Sequence, residues 1–157
     1  MRLDDAHPMN EGVLRHLRDR RRLRSGAEPL VVVAPDRHPD PYMQAGSHPD
    51  IVERLWDTLG SSLPADCRAL VYGAPALVHT VQGVVLALGY GTQYAIRVPN
   101  ESLQAALEVG CTMEQEWTGG GKTRIEEELG VGWVFGCWAE EEKQWLARVY
   151  QQCAVAP

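Results

Sequence analysis

Residues 68–99 constrain the fold most strongly, because they form a run of short β-type segments separated by turn residues. Their β-branched and aromatic residues predict strands at about 69–72, 76–80, 84–89 and 93–98. Glycine or proline lies in or beside each connection. Adjacent strands without a helix between them favour an antiparallel sheet over a doubly wound parallel one.

Two amphipathic segments flank this region, at 51–59 and at about 139–153. Both repeat apolar residues at i, i+1, i+4, i+5 and i+8, which predicts two helices packed on the same sheet. Short apolar runs predict further strands at 30–35 and 131–138, and Asn100 is the expected cap of another helix. The predicted fold class is therefore α+β. It comprises an antiparallel sheet of about five strands, two or three helices on one face, and an N-terminal Arg-rich helix.

The charge is divided unevenly along the chain. Residues 1–24 contain seven arginines and four acidic residues, whereas the rest of the chain carries a net charge of −9. This predicts a basic helical arm at 1–29 and a single domain at 30–157. The arm has three interpretations: a nucleic-acid contact, an intramolecular contact with the acidic body, or a dimer contact. Nucleic-acid binding is the least favoured, because the acidic body would repel phosphate.

The sequence predicts a cytoplasmic protein. No apolar run reaches the roughly 18 residues that a membrane helix needs, and acids occupy the N-terminal positions where a signal peptide is basic. In a reducing compartment, four cysteines without a C-x-x-C pair are expected to be small buried apolar residues. They are Cys67, Cys111, Cys137 and Cys153.

The segment TGGGKT (118–123) matches the end of a phosphate-binding loop, but Glu116 stands where the motif requires its first glycine. The lead-in to the loop is polar and acidic rather than a buried strand, which argues against a nucleotide site. Thr123 and Glu126 instead fit a capping box, in which each side chain bonds the other residue's backbone N–H. This predicts a short acidic helix at about 124–129.

The tripeptide His-Pro-Asp occurs twice. The two copies supply four potential metal ligands, His38, Asp40, His48 and Asp50. Intervening prolines and the absence of i, i+4 spacing disfavour a shared metal ion. The second copy instead predicts a helix start, with Ser47 or His48 as the cap and Pro49 in the first turn.

The sequence favours a binding protein over an enzyme, since common nucleophile motifs are missing. Residues 101–142 contain ten glutamates but only two basic residues, Lys122 and Arg124, which predicts an acidic surface. We expect a non-catalytic protein of the inhibitor, immunity or adaptor type that docks a basic protein partner. The expected contact residues are Glu114, Glu116, Trp117, Glu126, Glu127 and Glu128. The competing interpretation is that these glutamates are merely solvated helix faces and caps.

The alternative function is a small-molecule binder or enzyme with a pocket over the sheet. Its candidate residues share only their position on neighbouring predicted strands; they are Tyr72, His79, Thr92, Tyr94 and Arg97. No catalytic residue, metal ligand or cofactor is predicted, and nucleic acid and membrane are not expected partners. The oligomeric state stays open, with a homodimer among the options.

Overall fold

The computed structural model describes residues 2–20, 28–33, 47–90, 92–116 and 119–155. The strands in these ranges are β1 (Leu30–Val32), β2 (Arg68–Val71), β3 (Ala74–Val78), β4 (Val85–Tyr90), β5 (Gln93–Arg97), β6 (Glu114–Glu116), β7 (Lys122–Arg124) and β8 (Trp133–Phe135). The α-helices are α1 (Glu11–Arg20), α2 (Pro49–Glu53), α3 (Leu103–Glu108), α4 (Ile125–Leu129) and α5 (Glu141–Val155). None of these helices is both long and apolar enough to cross a bilayer.

An antiparallel sheet organises the described residues, with strands in the order β1-β2-β3-β4-β5-β8. The hairpin between β2 and β3 pairs Val71 with Ala74 and turns on two residues with positive φ, Tyr72 at 48° and Gly73 at 82°. Such a turn matches the right-handed twist of the flanking strands. The predicted α+β class is confirmed, and the main sheet has six strands in the described ranges where about five were expected.

The sheet is covered on both faces. One apolar core joins Leu86 and Ile96 of the sheet to Trp56 and to Leu146 of α5, so the two amphipathic segments share a face as predicted. The second core lies on the opposite face. It contains Val13, Leu14 and Leu17 of α1, Ile125 and Leu129 of α4, and Ala95 and Trp133 of the sheet. Alternation along the strands explains this division, because successive side chains point to opposite faces.

Helix α2 begins as the second His-Pro-Asp copy predicts. His48 is the cap, its Nδ1 accepts a hydrogen bond from the Asp50 N–H at 3.1 Å, and Pro49 follows in the first turn. The helix continues as one wide π-type turn over Arg54–Thr58 and a 3-10 turn over Leu59–Ser62. Wide turns of this kind occur frequently at functional sites.

Two predicted caps are wrong. Thr123 pairs with Gln115 inside the β6–β7 hairpin, so its backbone is extended; Arg124 is the cap position of α4, without a side-chain cap bond. At the other site, Pro99 rather than Asn100 precedes the first helical turn. The hairpin also explains why TGGGKT is not a phosphate loop, since Lys122 and Thr123 belong to a strand rather than to a helix N-terminus.

Candidate functional site

A buried carboxylate, Glu142, lies at the centre of the most elaborate polar cluster in the described residues. It is the second residue of α5 and is fully buried. Its Oε1 accepts hydrogen bonds from Arg54 Nη2 at 2.8 Å and from the Tyr94 hydroxyl at 2.5 Å. Burying a charge is costly unless it is paired and hydrogen-bonded, and Arg54 supplies the counter-charge.

The other carboxylate oxygen of Glu142 faces two cysteines. Oε2 accepts the backbone N–H of Cys137 at 2.9 Å and lies 3.7 Å from the Sγ of Cys111. The two Sγ atoms are 3.2 Å apart, and all four cysteines of the chain are free thiols. Cys111 is 2% exposed, whereas Cys137 is only half-buried. The cluster therefore has a buried thiol and a more accessible one.

The loop after β8 is shaped around the Tyr94 ring. A Cβ at Gly136 would lie 1.9 Å from that ring, so the loop can approach Tyr94 only with a glycine there. Trp138 follows with a φ of 64°, and its N–H donates to the Tyr94 hydroxyl at 2.8 Å. A non-glycine residue in this conformation carries strain of about 1 kcal/mol or more. This turn directs the Cys137 N–H at Glu142.

Trp138 covers the outer side of the cluster while remaining 52% exposed. Its ring lies 5.5 Å from the Arg54 guanidinium carbon and 5.3 Å, edge to face, from the Tyr94 ring. Arg54 also donates to the Ala139 carbonyl at 2.7 Å, which ties the wide turn after α2 to the start of α5. The cluster thus joins four separate parts of the chain.

Burial is the largest single influence on the pKa of each neighbouring group. It raises the pKa of the Cys111 thiol, and the adjacent Cys137 thiol and Glu142 charge raise that pKa further. Burial and the same carboxylate raise the pKa of Tyr94. For Arg54, burial lowers the pKa, but hydrogen bonds to Glu142 and Tyr94 outweigh it and the net shift is upward. Tyr94 and Arg54 are therefore protonated donors at neutral pH.

The predicted acidic surface is partly neutralised in the structure. Glu114 and Glu126 both pair with Arg124, at 3.2 and 2.8 Å, and Glu116 lies 3.8 Å from Lys122. Two further members of the set lie on α4: Glu128 approaches His16 Nδ1 at 3.3 Å, and Glu127 is exposed. Trp117 lies outside the described residues. The contact between α1 and α4 also brings the N-terminal helix against the acidic body.

The candidate pocket residues do not converge. Tyr94 and Arg97 point to opposite faces of β5, and Tyr94 belongs to the Glu142 cluster. Arg97 is buried, where it donates to the Val85 and Met9 carbonyls and lies over the Trp133 ring at 4.5 Å. The others lie apart: Tyr72 is buried in the β2–β3 turn, His79 stacks on Tyr150, and Thr92 is exposed.

The structure describes only two of the four potential metal ligands in the two His-Pro-Asp copies. His48 and Asp50 form the exposed cap of α2, whereas His38 and Asp40 lie outside the described residues.

Sequence reasoning missed the Glu142 cluster because its members are scattered. Arg54, Tyr94 and Cys111 come from different elements, and Glu142 is one of the ten glutamates of 101–142 that predicted an acidic surface or solvated helix faces and caps. Helical spacing offered one signal, because the apolar stripe of α5 includes Trp145 and Leu146. Residue 142 precedes them by three and four positions, so it faces the core.

Comparisons with models of protein families, with curated proteins and with solved structures give no match for this chain.

Proposed function

We propose that this chain is a redox-responsive dithiol protein, in which a hydroperoxide oxidises Cys111 and Cys137 together to a disulfide. The observation that carries the proposal is the 3.2 Å separation of the two Sγ atoms. A disulfide needs about 2.05 Å, so an approach of roughly 1 Å closes the bond. Gly110, which precedes Cys111 and has a φ of 117°, gives the Cys111 loop backbone freedom for that approach, whereas the Tyr94 ring fixes the loop at Gly136.

The difference in exposure between the two thiols determines which sulfur reacts first. The half-buried Cys137 sulfur attacks the terminal peroxide oxygen first, which forms the S–O bond of a sulfenic acid and breaks the O–O bond, and the departing alkoxide takes the Cys137 thiol proton and leaves as an alcohol. The buried Cys111 sulfur then attacks the Cys137 sulfur and displaces hydroxide. Glu142 Oε2, 3.7 Å from Cys111 Sγ, takes the thiol proton and passes it to the departing hydroxide, which leaves as water. Two electrons pass from the thiols to the peroxide.

A cytoplasmic location belongs to this proposal. There the thiol pool keeps both cysteines reduced until an oxidant arrives, so the disulfide would be a transient signal rather than a structural bond.

A stoichiometric peroxide treatment of the reduced full-length protein tests the proposal. Two of the four thiols should be lost, and the mass should fall by two hydrogens. Lys122 and Arg124 lie between the cysteines, so trypsin separates the two peptides and a cross-linked pair identifies the bond. Cys153→Ser should behave as wild type, whereas Cys137→Ser should form no intramolecular disulfide. Four intact thiols, or a Cys137 sulfinic acid without a cross-link, would refute the proposal.

Docking of a basic protein partner is a second candidate function. The observation in its favour is that the β6–β7 hairpin forms its own two-stranded sheet, with the Glu116 side chain 78% exposed and Glu127 exposed on α4 beside it. The double change Glu116→Arg with Glu127→Arg should abolish capture of a basic partner without lowering thermal stability. Glu108→Arg, an exposed change on α3, serves as the control. Retention of the partner by the double variant would argue against this surface.

A further inference from the structure

We infer that the reduced site binds a borderline-soft divalent cation such as Zn²⁺ through Cys111 Sγ, Cys137 Sγ and Glu142 Oε2. The inference uses the same two thiols as the proposed function but does not depend on their oxidation. The ligand atoms of the three residues all lie within 4.8 Å of one another. Thiolate sulfur selects Zn²⁺ and similar ions over Mg²⁺ and Ca²⁺, which prefer oxygen ligands.

Two of the three distances between the ligand atoms already approach those of a tetrahedral site. With bond lengths of about 2.3 Å to sulfur and 2.1 Å to oxygen, tetrahedral ligands lie about 3.8 Å apart for two sulfurs and about 3.6 Å apart for sulfur and oxygen. The observed distances are 3.2 Å between the two sulfurs and 3.7 Å from Cys111 Sγ to Glu142 Oε2. Metal binding therefore requires the sulfurs to separate by about 0.6 Å, a smaller change than disulfide formation requires.

The charges of the cluster match a divalent ion. Two thiolates and the Glu142 carboxylate carry three negative charges, and Arg54 returns one positive charge through its contact with Oε1. The remaining two negative charges equal the charge of Zn²⁺. Binding would release one proton from each thiol, because the thiolate is the ligand form.

Arg54 and Tyr94 hold the carboxylate in the orientation that the site needs. Both donate to Oε1, which leaves Oε2 directed at the two cysteines. Carboxylate ligands of metal sites are commonly fixed by such outer hydrogen bonds, and loss of one typically lowers metal affinity by about 10–100-fold. The three protein ligands leave a fourth tetrahedral position for water, which reaches the site on the side of the half-buried Cys137.

Cobalt substitution tests the inference on the wild-type protein alone. The fully reduced full-length protein is titrated with Co²⁺, and the complex is then titrated with Zn²⁺. We expect one equivalent of Co²⁺, a thiolate-to-cobalt charge-transfer band with the intensity of two thiolates, and stoichiometric loss of that band as Zn²⁺ displaces Co²⁺. A complex without a thiolate band, or no stoichiometric uptake of either ion, would overturn the inference.

Variants then assign the ligands through competition with a chromogenic zinc chelator. Cys111→Ser, Cys137→Ser and Glu142→Gln should each weaken Zn²⁺ binding at least about ten-fold, since each removes a ligand and loss of an outer partner alone costs about that much. Cys153→Ser removes a buried thiol outside the cluster and should bind as wild type. Circular dichroism verifies that each variant is folded, and substitution of the half-buried Cys137 is the change least able to disturb packing. Equal weakening by Cys153→Ser would contradict the assignment.

The two proposals for the dithiol fail independently. A protein that forms the Cys111–Cys137 disulfide but takes up no Zn²⁺ retains the proposed function and loses the metal site. A protein that binds Zn²⁺ through both thiols but yields no disulfide with peroxide retains the metal site and loses the redox function.

Discussion

The Tyr94 hydroxyl joins three parts of the molecule through a single oxygen. It donates to the buried Glu142 carboxylate and accepts the N–H of Trp138, while its ring packs against the loop at Gly136. Hydrogen bonds to charged groups contribute about 1.5–3 kcal/mol, more than neutral ones, and an unpaired buried acceptor adds a penalty. We therefore expect the Tyr94 hydroxyl to stabilise the cluster about as much as the Arg54–Glu142 ion pair does.

Tyr94→Phe should lower the free energy of unfolding by about 2–3 kcal/mol, because it leaves a buried carboxylate short of one donor. Tyr150→Phe is the matched control, since the Tyr150 hydroxyl bonds only the neutral Thr80 hydroxyl, at 2.7 Å, among the described residues. Its loss should be about 0.5–1.5 kcal/mol. Urea denaturation of both variants measures the two values. Equal losses would show that the hydrogen bond to the Glu142 carboxylate stabilises the fold no more than a hydrogen bond between neutral groups.

His79 makes the folded state sensitive to acid. It is buried, its Nδ1 accepts the N–H groups of Val81 and Gln82, and burial lowers its pKa below the ordinary value of 6.5. The unfolded chain therefore takes up a proton near pH 6.5 before the folded chain does. The stability that neutral His79 provides is complete above that pH and declines as the pH falls below it.

His79→Asn should reduce this acid sensitivity, because the amide oxygen accepts the same N–H groups but does not titrate. The free energy of unfolding is measured between about pH 7.5 and 5.5, where the wild type should lose stability more steeply than the variant. Equal slopes for the two proteins would place the origin of the acid sensitivity elsewhere.

At the scale of elements, the connection between β8 and α5 is defined by the contact between Gly136 and the Tyr94 ring. Gly136→Ala would place a methyl group 1.9 Å from the ring, so either the ring or the loop has to move. We expect a loss of about 1–3 kcal/mol or more, as for overpacked cores, together with slower peroxide oxidation of Cys137. Gly60→Ala is the milder comparison and should cost less, because its nearest contacts are 3.2 and 3.3 Å rather than 1.9 Å. Unchanged stability of Gly136→Ala would mean that the loop is not pinned by this contact.

Local patterns predicted the elements well where side-chain periodicity and the fold agreed. The strands between residues 68 and 97 and the two amphipathic helices on one face follow from alternation and from an apolar stripe. The capping box at Thr123 failed because the same residues have cross-strand partners, and pairing with Gln115 took precedence over a local cap. A capping motif specifies a helix start only when no neighbouring strand competes for the backbone.

At the scale of the whole molecule, the site could not be predicted because its residues are far apart in the sequence and only the fold brings them into contact. Arg54 and Glu142 are separated by 88 positions, and Tyr94 and Glu142 by 48. The predicted burial of the cysteines is correct for Cys67, Cys111 and Cys153 and wrong for Cys137, which is only half-buried, and the sequence provides no measure of the distances between them. Only the packing of α5 against the sheet brings the thiols to the buried carboxylate.

The two-sided core gives the N-terminal helix a structural role. Leu14 of α1 is fully buried in the second core beside Val13, and both face strands of the central sheet. Leu14→Ala should therefore lower the free energy of unfolding by about 2–5 kcal/mol, the range for a large aliphatic side chain removed from a packed core. Arg15→Ala, an exposed change on the same helix, should cost less than about 0.5 kcal/mol. Denaturant unfolding of the two variants distinguishes a helix packed into the core from a separable basic arm. If α1 were a separable arm, neither substitution would change the stability of the domain.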